Sequence, residues 1–132
     1  MAKKEVKSTK AKKRNLVPVT KGSVYVRSTF NNTLISITDE NGNVIGWASA
    51  GGSGFKGARK STPYAAQTAM TQLIEKIRNR GLKQIKVFIS GVGNGRDAAV
   101  RVLSNYDFEV LMIKDITPVA HNGCRPKKVR RV

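Results

Sequence analysis

The spacing of apolar residues changes several times along the chain, and each change marks an element. In GSVYVRSTF (22–30), Val24, Val26 and Ser28 alternate with Tyr25, Arg27 and Thr29. That period of two puts successive side chains on opposite faces of a strand. TLISITD and NVIGWASA follow, with Asp39-Glu40-Asn41-Gly42 between them. Asparagine before glycine between two β-branched runs is a strong hairpin signal, because both residues tolerate positive φ. Asn31-Asn32 offers another tight turn. The pattern predicts three consecutive antiparallel strands over roughly 22–30, 33–38 and 43–50.

The period then lengthens. Thr62 suits an N-cap and Pro63 the first helical position. Ala66, Ala69, Met70, Leu73, Ile74 and Ile77 recur at helical spacing, while Gln67, Thr71, Glu75, Lys76 and Arg78 take the outer face. Gly81 is placed to end this helix in the left-handed conformation. QIKVFIS (84–90) reads as a buried strand, and Gly91-Val92-Gly93-Asn94-Gly95 turns into a second helix near 96–105. FEVLMIKDI supplies a last strand before Pro118. The order βββ-α-β-α-β predicts an α/β domain in which a meander joins parallel strands through helical crossovers, a mixed sheet with helices.

A length of 132 residues fits one such domain, and 39% apolar residues can supply its core. The net charge of +17 and a pI near 10.6 point to a polyanionic partner, with nucleic acid ahead of anionic membrane. Residues 1–14 hold seven bases against one acid, residues 121–132 five bases and no acid, and the stretch between them thirteen bases against seven acids. Neither end has the apolar content to offset the entropy of ordering it. The expected organisation is a flexible basic tail over 1–15, one RNA-binding domain over 16–120 and a second basic tail over 121–132. Such arms order by neutralising phosphates of RNA or DNA, and fourteen extended residues reach at most about 45–50 Å.

Cys124 is the only cysteine and His121 the only histidine, so no internal disulfide and no multi-histidine metal centre can form from this chain alone. No metal or cofactor is expected. No apolar run approaches the roughly 18 residues needed to span a bilayer. The start MAKKEVKSTKAKKRN lacks the apolar segment of a secretory signal and the amphipathic stripe of a transit peptide. One soluble, reducing compartment is the expected location.

GGSGFKGARKST resembles a phosphate-binding P-loop at first sight. A P-loop places glycine immediately before its lysine so that backbone amides wrap the phosphates, and here Arg59 holds that position. Pro63 removes one amide from the helix start, and no following strand ends cleanly in a magnesium-binding aspartate. What remains is a basic loop at a helix N-terminus, with Lys56, Arg59 and Lys60 beside the hydroxyls of Ser61 and Thr62, suited to several spaced backbone phosphates. Asn94 and Arg96 give the second glycine loop the same character, although a plain strand-to-helix turn explains that loop as well. Of the aromatic residues, Tyr25, Trp47 and Phe55 could stack on bases. Trp47, inside an apolar strand, is expected in the core, and Phe55 at a contact with RNA or a partner.

FNNTLISITDENGNVIGWASAGGSGFKGARKSTPYAAQ, GVGNGRDAAVRVL and IKDITPVAHNGCRPKKVRRV resemble, in that order, the small-subunit ribosomal protein eleven family in its bacterial form. The resemblance covers residues 16–132 and implies a ribonuclease H-like topology. It implies a structural constituent of the small ribosomal subunit, on its platform, in contact with the central and 3′ regions of 16S-type rRNA. The mRNA exit cleft and exit-site tRNA would be close by, and ribosomal proteins seven, eighteen and twenty-one would be neighbours. By motif position, RNA contact falls on Lys56, Arg59, Lys60 and Ser61, on Asn94 and Arg96, and on the tail from His121 through Asn122, Arg125, Lys127, Lys128 and Arg130 to Arg131. The implied location is the ribosome of the cytoplasm, or of a plastid.

Catalysis is not expected. Two-metal nucleases gather carboxylates at the ends of neighbouring strands. Here the first strand holds no acid; Asp39 and Glu40 fall at a hairpin tip, Asp97 at a helix start, and Asp107, Glu109 and Asp115 near the last strand. His121 is expected to bond RNA or backbone, and Cys124 to be a small packing residue. Asn122-Gly123 is a candidate for isoaspartate formation, because glycine leaves its amide free to attack the asparagine side chain. Two other classes stay open at this point. A DNA-compacting protein would prefer duplex DNA to structured RNA, and a nucleotide-dependent enzyme would bind nucleotide in equilibrium dialysis.

Overall fold

The computed structural model describes residues 18–131, so the N-terminal tail expected over 1–15 and the last residue lie outside the described residues. Seven principal elements follow in the expected order: β1 (Lys21–Ser28), β2 (Thr33–Asp39), β3 (Val44–Ser49), α1 (Pro63–Ile77), β4 (Gln84–Ser90), α2 (Gly95–Leu103) and β5 (Glu109–Asp115). They form one five-stranded sheet in the order β3-β2-β1-β4-β5. β1, β2 and β3 are the antiparallel meander, and β4 and β5 add in parallel beside β1.

Both helices lie on one face of the sheet. Alternation along the strands aims Val24, Val26, Ile35, Ile37, Ile85, Val87 and Ile89 at that face, all buried. They meet the apolar stripe of α1 and Ala99, Val102 and Leu103 of α2. Each fully buried aliphatic side chain contributes about 1.5–3 kcal/mol of apolar burial, so this layer holds the fold together. At the start of α1, Thr62 Oγ1 accepts a bond from the Ala65 amide at 3.3 Å, and Pro63 opens the helix. A 3₁₀ turn at Arg78–Arg80 and Gly81, at φ 74°, release the chain toward β4. α2 ends at Leu103, short of the expected 105, because Ser104, Asn105 and Tyr106 bond back three residues to Arg101, Val102 and Leu103 and tighten the last turn.

β3 corrects the expectation for Trp47. Its inward positions are small: Ala48 faces the core, and a Cβ on Gly46 would come within 3.0 Å of a Leu73 methyl and 3.1 Å of an Ile77 methyl. α1 presses so closely on this strand that only small residues fit beneath it, and Trp47 points the other way with 66% of its surface exposed. β5 is the last strand that FEVLMIKDI predicts, at the edge of the sheet beyond β4. Every one of its residues is exposed, including Val110, Leu111, Met112 and Ile113, whereas the other edge strand, β3, buries Ala48 beneath α1.

Candidate nucleic-acid interface

Strand direction gathers the basic loops. β1, β3, β4 and β5 all run the same way, so their C-terminal ends share one end of the sheet, where both α1 and α2 begin. The β1–β2 turn, the loop from Ala50 to Thr62, the glycine loop after β4 and the chain after β5 therefore lie or start there. This is the end at which open α/β sheets commonly take ligands, and two helix N-termini add positive partial charge to it.

Lys56 and Arg59 are exposed and Lys60 half-buried, and none of them forms an ion pair among the described residues. Two 3₁₀ turns, Gly51–Ser53 and Gly57–Ser61, shape their loop. Ser49 Oγ accepts from the Gly52 amide at 3.0 Å, Ser53 Oγ donates to the Ser49 carbonyl at 3.0 Å, and Thr62 Oγ1 donates to the Arg59 carbonyl at 2.8 Å. Phe55 packs edge-on against Tyr64 with ring centroids 5.7 Å apart, so it anchors the loop to α1. Ser61 Oγ is turned inward, donating to the Ala58 carbonyl at 3.1 Å. Nothing here forms a P-loop: the preceding strand is a sheet edge, and short turns replace a nest of amides.

The second loop is built for close packing. A Cβ at Gly91 would run into the Ser28 carbonyl, one at Gly93 into Ser28 Oγ and the Thr29 carbonyl, and one at Gly95 into Thr33 Oγ1. All three glycines press on the β1–β2 turn, where Gly93 N donates to the Ser28 carbonyl at 3.1 Å. The plain-turn explanation thus accounts for the glycines, while Asn94 stays exposed beside them.

Arg96 is drawn into a closed ring. Its Nη1 donates to the Gly91 carbonyl at 2.7 Å and its Nη2 to Asp115 Oδ2 at 2.6 Å. Thr117 donates to Asp115 Oδ1 through its amide at 2.9 Å and its hydroxyl at 2.6 Å. The Gly91 amide closes the circle by donating to Thr117 Oγ1 at 3.1 Å. The Thr117 hydroxyl, and after it the Arg96 guanidinium, hold the Asp115 carboxyl well below the usual carboxylate range. Sequence reasoning misses Asp115 and Thr117 as members of the site, though Asp-Ile-Thr carries a readable signal: an aspartate able to bond the backbone two residues on.

Beyond Thr117 the chain from His121 to Arg131 is exposed and outside helix and strand. Asn122 sits at φ 62°, and Cys124 is an exposed free thiol rather than a packing residue, since the tail folds onto no core. At the opposite end of the sheet, Asp39 and Glu40 mark the β2–β3 turn, and Asp107 and Glu109 the approach to β5. The Asn43 and Asn41 amides bonded to Asp39 lower its carboxyl as well.

Fold and site together define a small, strongly basic α/β protein whose cationic loops converge on one end of a mixed sheet. The family model for ribosomal protein S11 matches residues 22–131. The chain is 51% identical over 132 residues to the small ribosomal subunit protein uS11 of Thermosynechococcus vestitus, covering all of both chains. It is 50% identical over 125 residues to that of Borreliella burgdorferi, covering 95% of this chain and 96% of that one. The protein of the same name from Campylobacter fetus is 50% identical over 133 residues, again across both whole chains. The chain belongs to the ribosomal protein S11 family, structural rather than catalytic constituents of the small ribosomal subunit.

Proposed function

We propose that the chain binds small-subunit rRNA through the sheet end that carries Lys56, Arg59, Lys60 and Asn94, with the tail from His121 to Arg131 as its extension. The observation that carries this reading is convergence: separate stretches of sequence deliver cations without an acidic partner among the described residues to one end, and two helix N-termini point the same way. The mechanism is architectural. Neutralised phosphates let RNA helices approach one another, and the rigid sheet fixes where the loops and tail enter. The resemblance in sequence supports a place on the platform, near the mRNA exit cleft and exit-site tRNA. Ribosomal proteins seven, eighteen and twenty-one are the proposed neighbours, in the cytoplasm or a plastid.

The test is sedimentation of a cell extract through a sucrose gradient after a high-salt wash, with the chain quantified by mass spectrometry. Stoichiometric retention in the small-subunit peak is expected. Release to the top of the gradient would overturn an integral place in the particle, since salt strips loosely held basic proteins.

A further inference from the structure

The face of the sheet opposite the helices carries an aromatic and cationic row that the basic end does not use. In register across the strands, Trp47 of β3 lies beside Ser36, Ser36 beside Tyr25, Tyr25 beside Phe88 and Phe88 beside Lys114. The Tyr25 and Phe88 rings stack on one another, centroids 5.1 Å apart and planes 15° from parallel. Tyr25 keeps 38% of its surface exposed and Trp47 66%. Arg27 and Lys86 are exposed on this face, one on each side of the row. The carboxylate at its margin, Glu109, accepts a bond from Gln84 Nε2 at 3.0 Å.

We propose that this helix-free face binds unpaired RNA nucleotides, one base stacking on Trp47 and another on the Tyr25–Phe88 pair, with Arg27, Lys86 and Lys114 neutralising the connecting phosphates. The proposal rests on the rRNA reading and adds a second, base-contacting surface to it. Charge decides the occupant. An apolar protein partner would have to cover two lysines and an arginine, and lysine is depleted from the cores of protein interfaces. Aromatic rings interleaved with cations suit single-stranded nucleic acid instead. Spacing decides the form of the RNA. Trp47 and Tyr25 stand two strands apart, about 10 Å, against about 3.4 Å per nucleotide in a stacked strand, so the face takes splayed bases.

Trp47 is the only tryptophan, so its emission reports on this face alone. The full chain is titrated with a ten-nucleotide single-stranded RNA, end-labelled for anisotropy, and separately with the same strand in a duplex. Quenching of Trp47 by the single strand but not by the duplex is expected. Tyr25→Ala should weaken single-strand binding by roughly 5- to 100-fold while leaving duplex affinity unchanged. If that variant fails to fold, Trp47→Ala, at a more exposed position, should lower single-strand affinity in the same way. Binding seen by anisotropy without quenching overturns the proposal and leaves the rRNA reading standing. Absence of binding to either RNA overturns both. Emission that ignores RNA but shifts to the blue when the other small-subunit proteins are added gives the face to a protein and also overturns it.

Discussion

Arg96 Nη2 stands 2.6 Å from Asp115 Oδ2, tying the first turn of α2 to the last residue of β5. The sequence places these residues far apart, and the parallel pairing of β4 with β5 brings them together. The ring they form with Gly91 and Thr117 steadies the sheet end from which the basic tail departs.

This ring predicts a pH signature. The Asp115 carboxyl is held below its unfolded value, so its contribution to stability is complete above the unfolded carboxylate pKa of about 4 and is lost as pH falls. Urea midpoints of the wild type and Asp115→Asn should differ at neutral pH, and the gap should close in strong acid. A gap that stays constant with pH would assign the loss to something other than the charge.

Gly91→Ala should destabilise the domain by roughly 2–5 kcal/mol. It combines a left-handed penalty of about 1–2 kcal/mol with overpacking against backbone of about 1–3 kcal/mol. Gly54→Ala, also at positive φ but with open space around it, should cost only about 1–2 kcal/mol. Denaturant midpoints at unchanged slope would measure both.

Replacing Arg59 and Lys60 together with alanine should lower the slope of log affinity against log salt by about 2 for rRNA fragments, roughly one for each phosphate left unneutralised. An unchanged slope would take this loop off the interface.

Of three Asn-Gly pairs, Asn122-Gly123 should form isoaspartate first. The attacking group is the glycine amide. That of Gly42 already donates to the Asp39 carbonyl at 3.3 Å, and Gly95 is buried at the start of α2. Gly123 is exposed and follows an asparagine at φ 62°. Peptide mapping of aged protein checks this, and modification at Asn41 or Asn94 ahead of Asn122 would contradict it.

Most of the fold is legible in the sequence because local pattern and tertiary packing agree. Alternation sets β1 and β2, QIKVFIS coincides with β4, and Thr62-Pro63 marks the start of α1. Trp47 breaks the pattern because an apolar strand implies that its largest residue points inward, and this one points out. The clue lies in its neighbours: Gly46 and Ala48 are small because a helix sits directly over them. The basic loop is legible from charge, whereas the ring around Arg96 depends on a parallel pairing that no local pattern specifies. The glycines after β4 look alike for a phosphate loop and a packed turn, since either needs backbone without Cβ.

The central place of β1 has a consequence in time. Its antiparallel partner starts at Thr33, right after the turn, whereas its parallel partner β4 starts only at Gln84. During synthesis the meander can close by local contacts, yet Val24, Val26, Ile35 and Ile37 have no cover until the two helices and β4 emerge. Completion of the sheet then waits on contacts of high sequence separation, the slow class in folding. A nascent chain stalled before Ser90 would present a sticky half-sheet, making this interval the one in which the protein most needs protection from aggregation.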